Sequence, residues 1–184
     1  MIDTHAHLVS DDKEKYPPAP PGGILPPMAF DNVMTAETLL QEMDRTAVDR
    51  AILVQRGSIY GFDSAYVCES ARLYPDRFAA VCSIDASQPD CGEAVHYWVK
   101  ERGAVGIRLM ELIKDSDIGW LDSRVGRDVW HAAAELNVPV CVHFFPWNRA
   151  VGLARLQQIL SEVPGLGVVV DHLSSIQSDA PGPD

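Results

Sequence analysis

Six short apolar, β-branched runs alternate with longer segments of helical spacing, and this rhythm constrains the chain more than any other feature. The runs cover residues 2–8, 51–55, 78–84, 105–110, 138–143 and 167–172. Such short, nearly continuous apolar runs suit strands buried on both faces of a parallel sheet. Helices are predicted between them, over 35–47, 63–74, 91–102, 124–136 and 149–163. Thr35 supplies an N-cap for the first, with Thr38 three residues on, and Asp63 opens the second. Gly103 closes the third, and Pro164-Gly165 stops the last. Strands alternating with helices of this length make repeated βαβ units.

Two segments break the rhythm. Residues 10–34 hold six of the thirteen prolines, with Gly22-Gly23 among them. Proline removes the N–H that a helix interior or central strand needs. A linker and a long loop over a site both fit this composition. Its place directly after the first strand favours the loop, and we expect 10–34 to cap a functional rim. The segment 174–184 is polar, ends in Ala-Pro-Gly-Pro-Asp, and reads as a tail.

Composition bounds the partners. The chain has 184 residues and a formal net charge of -11. A surface this acidic disfavours nucleic acid and anionic membranes, which need a basic footprint. No stretch approaches the roughly 20 apolar residues of a membrane span, and no basic, then apolar, leader opens the chain. Cys68, Cys82, Cys91 and Cys141 form no C-x-x-C pair, and Cys82 and Cys141 lie in apolar runs as reduced core residues. A cytoplasmic protein acting on a small molecule is expected.

The histidines carry the chemistry. His5 and His7 are two apart on the first predicted strand, so their imidazoles share a face, with Asp3 deeper on the same side. His143 ends the fifth run and His172 the sixth. In parallel α/β folds the C-terminal strand ends form the functional rim. Four of the six histidines thus converge on one rim, while His96 and His131 fall in predicted helices. Imidazole is a common ligand for divalent transition metals. Arg108, near the end of the fourth run, has the planar fork that grips a carboxylate, although a structural ion pair would use it equally well. Strand alternation turns Asp171 to the opposite face from His172, as a structural group. Cys141 shares the His143 face one step deeper, as filling.

Ile2-Asp3-Thr4-His5-Ala6-His7, Gly106-Ile107-Arg108-Leu109, Val140-Cys141-Val142-His143 and Val170-Asp171-His172-Leu173 together resemble the successive strand motifs of the amidohydrolase-related metal-dependent hydrolases. These barrel enzymes include lactonases of the dicarboxylate type and aromatic-acid decarboxylases. The resemblance implies an α/β fold of the (β/α)8 TIM-barrel type, here truncated to about six βα units in a single incomplete domain over residues 1–184. It implies His5, His7 and His143 as metal ligands and His172 as a catalytic group near the metal, either a ligand or a group that polarises the substrate. The metal would be a divalent ion, most often zinc, with manganese or no metal in other members. Gln55, Ser58 and Tyr60 resemble the second-strand loop of the family, where they would hydrogen-bond substrate or brace the loop.

The sequence departs from the family at its far end. A complete barrel needs eight βα units and about 250 residues. The family's eighth-strand aspartate, which binds metal and moves the proton of the attacking water, has no counterpart here. Six strands leave the first and sixth as open edges, which invite pairing with a second copy or another chain. Losing a general base removes about 10² to 10⁴ in rate. The leading expectation is a hydrolase acting on a lactone or similar carboxylate-bearing carbonyl compound through metal-activated water. Decarboxylation on the same scaffold and a non-catalytic remnant are the alternatives. An open nucleotide-binding sheet is disfavoured, because no G-x-G-x-x-G follows the first strand.

Overall fold

The computed structural model describes residues 1–114 and 116–175. Most of the expected tail, 176–184, lies outside the described residues. Six parallel strands form one sheet in the order β1-β2-β3-β4-β5-β6. They are β1 (Ile2–Ala6), β2 (Arg50–Val54), β3 (Phe78–Ser83), β4 (Gly106–Met110), β5 (Val140–His143) and β6 (Val168–Val170). Each lies within one residue or so of its predicted run, except that β1 ends before His7, β5 starts after Pro139, and β6 ends before Asp171. Proline cannot donate to a ladder. Its carbonyl still accepts the Ile107 N–H at 3.1 Å. The result is a partial TIM barrel of six parallel βα units, as expected.

The helices are α1 (Ala36–Thr46), a single turn α2 (Gly57–Tyr60), α3 (Ala65–Leu73), α4 (Cys91–His96), α5 (Arg127–Leu136) and α6 (Arg149–Glu162). Thr35 caps α1, its hydroxyl accepting the Thr38 N–H at 3.2 Å. The predicted helix over 91–102 is α4 followed by a π turn at Tyr97–Glu101. Gly103 then leaves the helix at φ +76°. Asn137 ends α5 in the left-handed region, which its short polar side chain tolerates. No helix among the described residues is long and apolar enough to cross a membrane.

The helices cover one face of the sheet. Alternate strand residues, Leu53, Ala80, Cys82, Ile107, Leu109, Val140 and Val142, are buried against them. Two apolar clusters result. One joins β1 to β3 with α1 and α3. The other joins β4 to β6 with α4, α5 and α6, around Trp130 and Phe144. The opposite face carries Arg108, Cys141 and His143, and the register sets Arg108 beside Cys141 and Met110 beside His143. Burial on both faces holds for β3 and β4, whereas β1 and β6, the edge strands among the described residues, are partly open, with Ile2 60% and Val169 50% exposed.

Residues 10–34 are tied to the rim after β2. The Ser10 N–H donates to the Tyr60 hydroxyl at 2.8 Å, and the Ala19 N–H to the Ile59 carbonyl at 2.9 Å. Val9, Ala29, Ile59 and Tyr60 make a small separate core. Gly61 permits the approach. Its φ is +57°, and a Cβ there would lie 2.6 Å from the Ala19 carbonyl oxygen.

Candidate active site

The four histidines at the strand ends meet at one rim. The ring of His5 lies 4.9 Å from that of His7 and 4.7 Å from that of His172. His172 is 5.1 Å from His143, which stacks on Phe145 at 4.4 Å. An open depression of about 420 Å³ is lined by His7, Arg56, Gly57, Ser58, Arg108, Met110, His143 and His172.

Asp171 is the centre of the polar network. Val168 and Val170 pair with Val140 and Val142 and face the helices, so alternation turns Asp171 inward. The chain leaves the strand at Val170 and enters a turn in which residues 172–175 have φ from +49° to +55°. This turn keeps His172 at the same rim, and its carbonyls at Ser174 and Ser175 accept from Arg149 Nη1 at 3.4 and 3.3 Å. Asp171 Oδ2 accepts from Arg108 Nε at 2.9 Å, and Oδ1 lies 3.8 Å from His5 Nδ1. Ligand atoms of His5, Asp171 and His172 all fall within 4.8 Å of one another.

The surroundings of His5, His7 and His143 bear on their protonation. His7 Nδ1 is 2.7 Å from the Val54 carbonyl, so Nδ1 carries the hydrogen and Nε2 keeps its lone pair. His143 Nδ1 is 3.3 Å from Arg108 Nη2 and can only accept, which places its hydrogen on Nε2, 3.1 Å from the Ser175 hydroxyl. Both ring nitrogens of His143 are thus engaged. Burial, then the Arg108 guanidinium, pushes His5 and His143 down to about 4. Burial also lowers His7. All three are therefore neutral at pH 7, the form that ligates metal or accepts a proton. The Nε2 of His5 is buried without a hydrogen-bond partner. A buried unpaired acceptor costs about 1–3 kcal/mol, and a bound cation would satisfy it. The donor set of two imidazoles and a carboxylate suits a divalent ion such as zinc or manganese.

The other sequence-predicted residues divide. Arg108 reaches the depression but is 4% exposed and committed to Asp171 and His143. Gln55 is buried, its amide donating to the Asp63 carbonyl and its own N–H to Val81. Tyr60 holds the Ser10 backbone. Neither Gln55 nor Tyr60 lines the depression, whereas Ser58 does. Sequence reasoning missed Arg56, half-buried in the wall, and placed Asp171 on the wrong face, because it counted alternation from His172, which the turn displaces, rather than from the helix-facing valines. The adjacent Asp-His pair after three valines was a signal for the second; only the loop geometry exposes the first.

The sequence matches the model of a family described as amidohydrolase, over residues 2–182. No protein of curated function matches it significantly. Among solved structures, a probable 2-pyrone-4,6-dicarboxylic acid hydrolase from Acinetobacter baumannii, with citric acid bound, is 24% identical. It superposes with a TM-score of 0.72 over 94% of this chain and 58% of that one. A 2,6-dihydroxybenzoate decarboxylase from Rhizobium is 18% identical, with a TM-score of 0.68 over 94% and 66% of the two chains. A 5-carboxyvanillate decarboxylase from Novosphingobium aromaticivorans, with bound manganese, is 16% identical, with a TM-score of 0.66 over 94% and 66%. The chain thus spans about three-fifths to two-thirds of the length of these structures.

Proposed function

Because this chain belongs to the amidohydrolase family, we propose that it builds a metal-dependent hydrolase site for a lactone or similar carbonyl substrate bearing a carboxylate. The observation that carries this reading is the cluster of His5, Asp171 and His172 at the rim, with donor atoms within 4.8 Å of one another. A divalent cation held there would lower the pKa of a coordinated water and polarise a carbonyl. Zinc and manganese both fit the donors.

The chain's own groups take the following parts. His5, Asp171 and His172 would hold the cation. His7 stands beside them with Nε2 open, able to ligate or to accept a proton. His143 is held by Arg108 and Ser175 and orients substrate from the side, so the geometry favours His172 over His143 as a ligand. Arg108 fixes the direction of the Asp171 carboxylate. The Arg56 side chain makes no hydrogen bond or ion pair with the described residues, and it supplies the positive charge for a substrate carboxylate, with Ser58 beside it. Gln55 and Tyr60 position this loop, and residues 10–34 cover it from the side.

Decarboxylation of an aromatic acid uses the same constellation, and two of the structural neighbours bear that activity in their names. One experiment separates the readings. The purified chain, loaded with zinc or manganese, is given 2-pyrone-4,6-dicarboxylate and a set of hydroxybenzoates. Metal-dependent ring opening, lost in His5→Ala, supports the hydrolase. Release of carbon dioxide without ring opening supports the decarboxylase. Neither product from a chain that binds metal stoichiometrically rejects both activities for this polypeptide.

A further inference from the structure

We propose that Cys68 and Cys82 are a peroxide-sensitive dithiol that closes to a disulfide between α3 and β3. Their sulfurs are 3.2 Å apart, within hydrogen-bonding reach of each other across the helix–sheet layer. A disulfide requires about 2.05 Å, so closure needs only a small further approach. The two residues are 14 apart in sequence, and both are free thiols.

Access and reactivity are unequal in a useful way. Cys82 is fully buried in the sheet. Cys68 is itself only 2% exposed, but it forms part of the wall of a separate open cavity of about 650 Å³, beside Arg72, Lys100 and Arg102, which Cys82 does not line. The hydrogen bond shared with Cys82 holds the Cys68 sulfur below the usual thiol range, with the Arg102 guanidinium adding to the effect. The same hydrogen bond and burial keep Cys82 protonated. Thiolate character and access to solvent decide which cysteine reacts first. The other two cysteines lack such a partner among the described residues. Cys91 donates to the Val125 carbonyl at 3.3 Å, and burial pushes Cys141 up to about 11.

The chemistry balances with a peroxide as the oxidant. The Cys68 thiolate attacks one oxygen of hydrogen peroxide, the O–O bond breaks, and hydroxide leaves, giving a sulfenic acid. The Cys82 sulfur then attacks the Cys68 sulfur as its proton is lost. The S–S bond forms, the S–O bond breaks, and water departs. Two thiols are oxidised by two electrons, and one peroxide becomes two waters. The new bond would lie just below the rim. Cys82 precedes Ser83, whose N–H donates to the Ser64 hydroxyl at the start of α3. Gln55 bonds the carbonyl of the preceding Asp63.

The full chain, reduced and freed of reductant, is titrated with hydrogen peroxide, alkylated under denaturing conditions and mapped by tandem mass spectrometry. The expected result is a Cys68–Cys82 cross-link with a mass loss of two hydrogens, reversed by dithiothreitol. Cys91 and Cys141 remain open to alkylation, and the melting temperature rises by several degrees. In Cys82→Ser, oxidation should halt at a Cys68 sulfenic acid that dimedone traps. Cross-linking to another cysteine, over-oxidation of Cys68 without a cross-link in the native chain, or equal loss of all four thiols would overturn the proposal. So would a native chain that keeps all four thiols.

Discussion

Arg108 donates through Nε to Asp171 Oδ2 at 2.9 Å, and both side chains are almost wholly buried, at 4% and 6% exposure. The pair joins β4 to the turn after β6 across the inner face of the sheet. Removing one partner of such a pair strands a buried charge, at a cost of about 3–5 kcal/mol. Asp171→Ala should therefore lower stability by that amount, read as a shift in the urea midpoint at unchanged slope. The double variant Arg108→Met/Asp171→Leu should recover much of the loss. A single variant as stable as the native chain would show that the pair is not formed in solution.

Cation binding should depend on His5, Asp171 and His172 together. Titration calorimetry with zinc or manganese should give one site per chain. His5→Ala or His172→Ala should weaken it by more than the roughly 10- to 100-fold typical of outer groups that only orient ligands. His143→Gln should have the smaller effect, since both its ring nitrogens are already engaged. Equal losses for all three would return His143 to the ligand set.

Acid should destabilise the metal-free chain through the same histidines. His5 and His143 are held at about 4, against 6.5 for an exposed imidazole. Between those values the unfolded chain takes up protons that the folded chain refuses. Their contribution is therefore full above pH 6.5 and is lost as pH falls toward 4. The urea midpoint should drop across this window, and the drop should shrink in His5→Gln/His143→Gln. An identical pH profile for native and variant chains would contradict the assignment.

Arg56 should govern anion affinity without governing the fold. Arg56→Ala should leave the unfolding midpoint within about 0.5 kcal/mol, as for a surface change away from packed features. It should weaken binding of a carboxylate probe such as citrate about tenfold, or about 1.4 kcal/mol. Unchanged citrate binding would place the carboxylate subsite elsewhere.

Gly152 sets how closely α6 approaches β5. A Cβ at this position would lie 2.4 Å from two ring carbons of Phe144. Gly152→Ala should thus cost about 1–3 kcal/mol by overpacking, despite the better helix propensity of alanine. A stabilised variant would mean that the Phe144 ring moves aside freely.

Much of the fold was legible because its signals are local. The Thr35 cap, the Gly103 exit and the six apolar runs each depend on residues near one another in sequence. Boundaries moved where the backbone itself intervened, at Pro139 and at the turn after Val170. The site was legible only in part. His5, His7, His143 and His172 were found because strand direction sends them to one rim. Arg56 was missed because its place in the wall depends on how the loop after β2 folds. Gln55 and Tyr60 lie off the depression, in contacts with Asp63 and Ser10 that no local pattern reveals.

The sequence alone determined that this chain builds parallel βα units and gathers its imidazoles at their C-terminal ends, because alternation and strand polarity are properties of the backbone. Only the tertiary structure decided which nitrogen is free, which carboxylate faces the histidines and which arginine is already spent. Those choices rest on distances of a few ångströms between residues up to 166 positions apart, as between His5 and Asp171. At that range burial and pairing energies outweigh any preference written into the neighbouring sequence.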